Sequence, residues 1–597
     1  MRRIFLLVIA GAVVAFGIWY AWRISEKTSS SSVSVLLGRD TIFLAHLPDF
    51  NQTRDQWHHS DVYLLYREPA VQDFLRKPLG KVPKRDAASQ TLRDIEQLDP
   101  KDAFFALTSI DNNNPKFVGG FRFRGSPEDA ERVIGKWRSN FLQANRSAKH
   151  EKLQYERHEI EMVAATPFAL VTAYDRPWFF AASDLTELKA LLDRADGRVK
   201  NSEETLDADA SYRSAAAHMP SSYAASFYLQ PKTFSDRIAA LRATIRAPVA
   251  PNERTLLEQM RSISGATRFD SGKIHDLLFL GMPKLEQDAA FARSSLTLAT
   301  KDTFFYLAML LNLGQKVDTI NQMAGIGGQM QKLFQTFSAN GITADDWKAA
   351  FGPELGSLAD WPPSAHWPSL LLTLPVIDMT KAGDIVEAVT RVDENAIWTR
   401  TEKDGVRYFS MQSLGSLFAI TPTIALSNRI MIAGFNPVSV EAAIQRSGGT
   451  SSELSDSQTY KGAVRSVPSP TNFFAYVDTA VLYSRLDASL RPMLLLAAAF
   501  MPAVTNDVDL SKLPAPEVIT KHLSPIVSSQ RYDHDGYVAE SVGPITLDQS
   551  AIGLAILSGI GARQKAGTGL TGWGSSSSGT PQPSLSPSPT PTPAPTP

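Results

Sequence analysis

The sequence predicts an α+β protein with two tandem related domains, each built from mainly antiparallel sheets and packed helices. One transmembrane helix precedes these domains and a disordered Pro/Ser/Thr tail follows them. Three observations lead to this prediction. An uncharged run lies close to the N-terminus, short blocks of sequence recur in the same order in both halves, and proline alternates with serine and threonine at the C-terminus.

The composition excludes several classes of protein. The chain has 597 residues, of which 43% are hydrophobic and 20% are charged, so it is neither wholly disordered nor a polytopic membrane protein. Its 60 Lys and Arg residues are balanced by 61 Asp and Glu residues, which leaves no basic field for nucleic acid. The sequence has no cysteine, which excludes disulfides, thiolate zinc sites and cysteine nucleophiles.

Residues 1–24 predict an uncleaved N-terminal transmembrane anchor. The uncharged segment Ile4–Trp22, extended as a helix at about 1.5 Å per residue, nearly spans a bilayer core of about 30 Å. Arg2 and Arg3 precede it, so the positive-inside rule keeps the N-terminus inside a single-pass inner (cytoplasmic) membrane and places the bulk of the chain in the periplasm or outside the cell. The alternative is a signal peptide cleaved near Ala15-Phe16-Gly17.

Two polar segments flank the predicted domains. Residues 25–35 are rich in serine and predict a flexible linker between the membrane and the folded body. Residues 570–597 alternate proline with serine and threonine, which prevents helix and sheet hydrogen bonding and predicts a disordered, solvated tail. A role for this tail as a wall-spanning segment, an O-glycan acceptor or a ligand of a polyproline-binding module is the alternative.

An internal duplication is predicted, with α+β repeat unit 1 at 36–292 and unit 2 at 297–552. Ser126 and Asp378 both begin helices as N-cap residues, and the apolar positions that follow them coincide. Without a gap, the strand pattern at 178–182 then falls on 430–434, and each is followed by another N-cap residue. The residue pairs of unchanged type, which fit caps, turns and ion pairs, are Asp40/Asp302, Arg194/Arg446, Arg237/Arg485, Arg268/Arg531 and Asp270/Asp533.

No histidine is shared by the two units, so the sequence predicts no common catalytic imidazole. This conclusion follows from the alignment of His46 with Ala308, His158 with Ser410, His218 with Ser466 and His275 with Val538. A site carried by one unit alone would escape this comparison.

The search for site motifs predicts no catalytic, cofactor-binding or metal-ligating residues. The run His158–Met162 begins like the H-E-x-x-H zinc helix, but methionine replaces the second histidine. Gly325–Met330 approaches a dinucleotide-binding glycine pattern but lacks its third glycine and a preceding strand. Asp533–Asp535 is interpreted as a turn because its counterpart follows the same Arg-aromatic pair, and His58 and His59 as solvated residues.

Three segments carry a resemblance to a known family: the early strand Asp40–Phe50, the helix start Ser126–Ala130 and the strand–helix passage Trp178–Arg194. With these segments the chain resembles uncharacterised bacterial exported, membrane-anchored proteins with a duplicated domain of unknown function. The resemblance implies an anchored α+β protein with two similar domains. It implies no activity, cofactor or site residue.

The sequence therefore predicts a non-enzymatic, membrane-tethered envelope protein with a binding or structural role. Its partners would be the membrane, through the N-terminal helix, and an envelope protein, lipid or polymer, but no nucleic acid. One alternative is a lipid or peptide carrier, or a chaperone, that uses an apolar groove lined by the helix predicted at Leu482–Met501. The other is an extracytoplasmic enzyme with a carboxylate- or serine-based site.

Overall fold

The computed structural model describes residues 32–547, with gaps at 81–92, 112–113, 125, 146, 166–167, 200–201, 237–258, 285–288, 311–338, 340, 392–395, 413–419 and 501–508, together with residue 549. The predicted anchor, the predicted tail and the glycine motif at 325–330 lie outside the described residues. Within the described ranges, no helix is both long enough and apolar enough to cross a membrane.

The fold is mixed α+β with one large antiparallel sheet, which confirms the predicted class. The strands are β1 Phe43–Asp49, β2 Lys101–Asp111, β3 Asn114–Arg122, β4 Lys149–Tyr155, β5 His158–Ala165, β6 Phe168–Asp175, β7 Trp178–Ala182, β8 Ala225–Leu229, β9 Ser262–Asp270, β10 Lys273–Gly281, β11 Thr303–Leu310, β12 Glu354–Asp360, β13 Ser369–Pro375, β14 Trp398–Lys403, β15 Val406–Met411, β16 Thr423–Leu426, β17 Ile430–Gly434, β18 Phe473–Val477, β19 Ile526–Asp533 and β20 Gly536–Gly543.

Helices fill the connections between these strands. They are α1 Val33–Leu36, α2 Phe50–His58, α3 Asp61–Arg67, α4 Pro69–Gly80, α5 Pro127–Ala144, α6 Leu185–Ala195, α7 Ala210–His218, α8 Ala344–Ala350, α9 Met379–Thr390, α10 Pro437–Arg446, α11 Glu453–Asp456, α12 Gln458–Val464, α13 Thr479–Phe500 and α14 Pro516–Thr520. The predicted N-caps are present. Asp184, Asp378 and Asn436 each accept hydrogen bonds from backbone amides of the helix that follows.

The strands pair in the same order in both halves of the chain. In the first half the sheet runs β4-β5-β6-β7-β3-β2-β1-β8-β9-β10. In the second half it runs β14-β15-β16-β17-β13-β12-β11-β18-β19-β20. Each strand from β1 to β10 thus has a counterpart ten strands later, among β11 to β20.

Strands β10 and β20 join the two halves into one sheet. They pair antiparallel from Ile274 opposite Gly543 to Leu280 opposite Tyr537, with Leu277 opposite Glu540 at the centre. The boundary predicted between residues 292 and 297 therefore divides one continuous sheet. The described residues from the start of α1 to the end of β20 belong to one compact unit.

Side chains from both halves pack across this junction. Phe279 of β10 is fully buried and belongs to the first-half core together with Val538 of β20. Its ring stacks on the His218 imidazole, with 4.1 Å between the ring centroids. His275 lies between Arg268, which donates to its Nδ1, and Glu540, whose Oε2 accepts from Nε2 at 2.9 Å.

Two details of chain organisation emerge from the described residues. Helix α1 begins within the last three residues of the predicted linker 25–35, and its Val33 and Leu36 are buried in the first-half core. The ungapped alignment is wrong across one hairpin. Strand pairing places His158 at the position of Val406, since each follows a two-residue turn, and the connection between β15 and β16 is longer than that between β5 and β6.

Alanine substitutions at two glycines of the second half test how tightly it is packed. A Cβ at Gly536 would lie 2.4 Å from the Leu280 carbonyl oxygen, whereas nothing lies within 4 Å of a Cβ at Gly462 in helix α12. We expect Gly536→Ala to lower the free energy of unfolding by about 1–3 kcal/mol through overpacking. We expect Gly462→Ala to raise it by about 0.5–1 kcal/mol, because alanine costs less backbone entropy in a helix. Thermal unfolding of the two variants checks both signs, and equal shifts would contradict the packing described here.

Candidate functional site

A cavity of about 260 Å³ lies in the first half, between helix α7 and strands β1, β8 and β9. Its apolar wall includes Leu44 of β1 and Met219, which follows α7. Its polar wall is formed by one imidazole, three phenols and several serine hydroxyls. The side chains that the site uses are His46, Tyr212, Tyr223, Ser226, Tyr228 and Ser264.

His46 is the imidazole of the cavity wall. Its Nδ1 lies 2.9 Å from the Tyr223 hydroxyl, and its Nε2 lies 3.6 Å from Asp102 Oδ1. Asp102 forms an ion pair with Arg122, which places a compensated charge pair behind the imidazole. Burial, together with the Arg122 charge, lowers the pKa of His46 to about 4. The imidazole is therefore uncharged at neutral pH.

The position of Asp102 favours the imidazole tautomer that carries its hydrogen on Nε2. In that tautomer the Tyr223 hydroxyl donates to Nδ1. The Tyr223 hydroxyl oxygen then keeps acceptor capacity on the cavity side, because a phenol oxygen that donates one hydrogen bond can still accept another.

Two further tyrosines form the floor of the cavity beside α7. The rings of Tyr212 and Tyr228 meet edge to face, with centroids 5.0 Å apart. The Tyr228 hydroxyl donates to Asp209, the carboxylate that caps α7, over 3.5 Å. Burial raises the pKa of both phenols, so they too are uncharged at neutral pH.

The cavity wall contains a buried hydroxyl that makes no hydrogen bond. Ser264 on β9 is 2% exposed, and its Oγ has no hydrogen-bond partner among the described residues. A buried polar atom of this kind costs about 1–3 kcal/mol unless something satisfies it. None of the described side chains that line the cavity is Asp, Glu, Lys or Arg. The site is therefore a neutral, partly polar pocket with unused hydrogen-bonding capacity.

A second cluster of ionisable groups surrounds His158. His158 Nε2 lies 3.0 Å from Asp196 Oδ2, and these groups and Asp175 have the spacing of metal ligands. Arg157 forms ion pairs with both carboxylates, and Arg198 Nη1 lies 2.6 Å from Asp196 Oδ2. Burial raises the pKa of Asp175. Burial also opposes ionisation of Asp196, but the hydrogen bond from His158 and the nearby charges outweigh it and lower the Asp196 pKa. A cation would have to displace two guanidinium groups, so the cluster fits an internal ion-pair network.

His158 stands at the start of strand β5, so the sequence His158–Met162 is a strand and not the helix that the zinc motif requires. Asp533–Asp535 forms the turn between β19 and β20, as predicted, and His534 is 96% exposed there. His58 and His59 are both exposed at the end of α2, also as predicted.

The long helix α13 does not contribute to the cavity. Its N-terminal part packs Leu482 and Leu486 against the core cluster around Trp361. Its four consecutive apolar residues Met493–Leu496 are between 39% and 62% exposed. A carrier needs an exposed apolar surface, and this helical turn is such a surface among the described residues.

Residue types shared by the two units do not reveal the cavity, because Ala308 stands at the position of His46 in the second unit. The signal that could have found the cavity is a difference between the halves, in positions that are polar in one half and apolar in the other, such as Ser226 against Phe474.

The chain has no match among protein-family profiles and none among curated proteins. Among solved structures it is similar to TP0453 in crystal form I, with a TM-score of 0.24 and 7% sequence identity over 44% of this chain and 82% of that chain. Crystal form III of TP0453 gives a TM-score of 0.23 and 7% identity over 43% of this chain and 81% of that chain. Similarity at this level establishes neither a shared fold nor a shared function.

Proposed function

We propose that this protein is a non-enzymatic, membrane-tethered binding protein of the cell envelope, built from a duplicated α+β domain. The observation that carries the binding role is the neutral cavity beneath α7 in the first half, with its unpartnered Ser264 hydroxyl. The uncharged segment Ile4–Trp22 supports the membrane tether, and the two arginines before it support an extracytoplasmic location.

Strand register supports the duplication. The sequence matches Arg268 with Arg531 and His275 with Val538. In the sheet, Arg268 lies opposite His275, as Arg531 lies opposite Val538. The turn between β9 and β10 joins strands in the same register as the turn between β19 and β20. Two unrelated domains would have no reason to share both the pairing order and the register.

The chemistry of the cavity favours binding over catalysis. A carboxylate-based enzyme needs an acid or base in its pocket, and no described carboxylate lines this one. His46 has a pKa of about 4, which makes it a weak base at neutral pH. Hydroxyls, phenols and a neutral imidazole are instead suited to recognising a ligand by hydrogen bonds and ring contacts.

Two measurements test the proposed function. Protease added to spheroplasts should digest the chain beyond about residue 25, because the body would lie outside the membrane. Native mass spectrometry of the full chain, extracted from its own host, should detect a small co-purifying molecule that Ser226→Phe removes. Complete protection from protease would refute the location, and retention of the molecule by Ser226→Phe would refute this cavity as its site.

The lipid or peptide carrier is the second candidate. The exposed apolar turn Met493–Leu496 favours it, since a monomeric surface seldom exposes four large apolar side chains in succession. In the same mass-spectrometry experiment, an acyl lipid or peptide that survives Ser226→Phe would point to this turn and to a carrier.

A further inference from the structure

The second half provides an internal reference for the first-half cavity. Strand pairing places Phe474 where the first half has Ser226, and Ala308 where it has His46. Ser264 lies opposite Tyr228 of β8, and Val527 lies opposite Tyr476 of β18. Strand pairing therefore also places Val527 where the first half has Ser264. Three polar positions of the cavity wall are therefore apolar in the second half.

Aromatic side chains fill the corresponding space in the second half. Phe474 and Tyr306 are fully buried, and their ring centroids lie 6.1 Å apart. The Tyr460 ring lies 6.2 Å from the Phe474 ring and 5.1 Å from the Tyr476 ring. The same arrangement of strands thus encloses a filled aromatic core in the second half and an open pocket in the first half. The cavity is a property of the first-half side chains and not of the fold.

The charge of the wall limits the ligand. Neither a cationic nor an anionic ligand would find a counter-charge among the described side chains that line the cavity. A charged molecule would lose its hydration without a compensating charge or ion pair. An uncharged molecule with a hydroxyl or carbonyl group avoids this loss and can satisfy the Ser264 hydroxyl.

The volume of the cavity limits the size of the ligand. A dry cavity of about 150 Å³ holds one benzene ring. The first-half cavity, at about 260 Å³, has room for one substituted ring. Tyr212 and Tyr228 supply aromatic surface, and Leu44 supplies an apolar wall, against which such a ring can pack.

We propose that the first-half cavity binds a small, uncharged molecule that carries hydroxyl or carbonyl groups on a single ring, while the second half serves as a filled structural partner. This inference rests on the proposed binding function and specifies its ligand class. Recognition combines the Tyr223 hydroxyl, the Ser264 hydroxyl and the apolar wall that includes Leu44.

The test uses the full chain in lipid nanodiscs and ligand-observed NMR. Two ring skeletons are offered, each in three charge states: benzyl alcohol, benzoate and benzylammonium, and glucose, glucuronate and glucosamine. We expect the uncharged member of at least one series to bind at least ten times more tightly than its charged relatives. Empty nanodiscs correct for partition into lipid.

Variants locate the binding. Ser226→Phe introduces the side chain of the second half and should reduce affinity at least tenfold by filling the cavity. Ser264→Val introduces the second-half residue at the unpartnered hydroxyl and should weaken binding several-fold, which gives a second test if Ser226→Phe does not fold. Ser451→Phe, at an exposed position, is the matched control and should leave binding unchanged.

The outcomes separate the ligand class from the function. Tighter binding of a charged member overturns the uncharged class but leaves a binding protein. Binding that persists in folded Ser226→Phe and Ser264→Val overturns the cavity as the site. Absence of binding by every member overturns the single-ring class, and the proposed function is then judged by the co-purifying molecule described above.

Discussion

Replacing Phe279 by alanine is expected to lower the free energy of unfolding by about 3–5 kcal/mol. Phe279 is fully buried, and it packs against His218 from its own half and lies opposite Val538 of the second half. Truncation removes the apolar area of the ring and leaves a cavity in a region where two antiparallel strands hold the backbone in place, so little relaxation is available. Urea unfolding of the full chain measures the loss.

The position of Phe279 also predicts which parts of the chain lose protection from hydrogen exchange when it is replaced by alanine. Because β10 and β20 form one sheet, weakening their junction should increase hydrogen exchange in both halves, including strands β1 and β11. Phe435→Ala is the matched control, because this phenylalanine is 53% exposed. Increased exchange confined to the first half would show that the two halves unfold independently and would contradict the coupling inferred from the sheet.

The second large effect is a loss of stability at acidic pH that depends on His46. The pKa of His46 is about 4 in the folded chain and 6.5 for an ordinary histidine, the value expected in the unfolded chain. Above pH 6.5 the imidazole is neutral in both states and contributes no pH dependence. Between pH 6.5 and 4 the unfolded chain binds a proton that the folded chain does not, so the free energy of unfolding falls as the pH falls, by up to about 3 kcal/mol.

Removing the imidazole should remove this part of the acid sensitivity. We expect His46→Gln to flatten the plot of unfolding free energy against pH between 6.5 and 4. His534→Gln is the matched control, because His534 is 96% exposed and should leave the slope unchanged. Denaturant titrations at several pH values provide the measurement. An unchanged slope in His46→Gln would mean that His46 takes up its proton as readily in the folded chain as in the unfolded chain.

Local sequence signals predicted the elements of the fold well. N-cap residues such as Asp184 and Asn436 mark helix starts because a side-chain oxygen must satisfy amides that the helix leaves free. The dipeptide Asp404-Gly405 is typical of a two-residue hairpin turn, and both residues adopt the positive φ angles that such a turn requires between β14 and β15. These are interactions between neighbours in the chain, so the sequence records them directly.

Long-range features were not predictable in the same way. The alignment error at His158 arose because a longer connection in the second half shifts the hairpin, and only strand pairing reveals the shift. The cavity depends on side chains from β1, α7, β8 and β9, which are far apart in the sequence. No spacing rule connects His46 to Ser264.

The sequence by itself determined the α+β class, the helix caps, the turns and the recurrence of blocks in the two halves, because each depends on residues close together or on patterns repeated along the chain. Only the tertiary structure decided that the two halves share one sheet and that the first encloses a neutral cavity where the second is filled. Whether a space is open or closed depends on side-chain volumes that meet from distant strands, and Ser226 and Phe474 differ there by an aromatic ring.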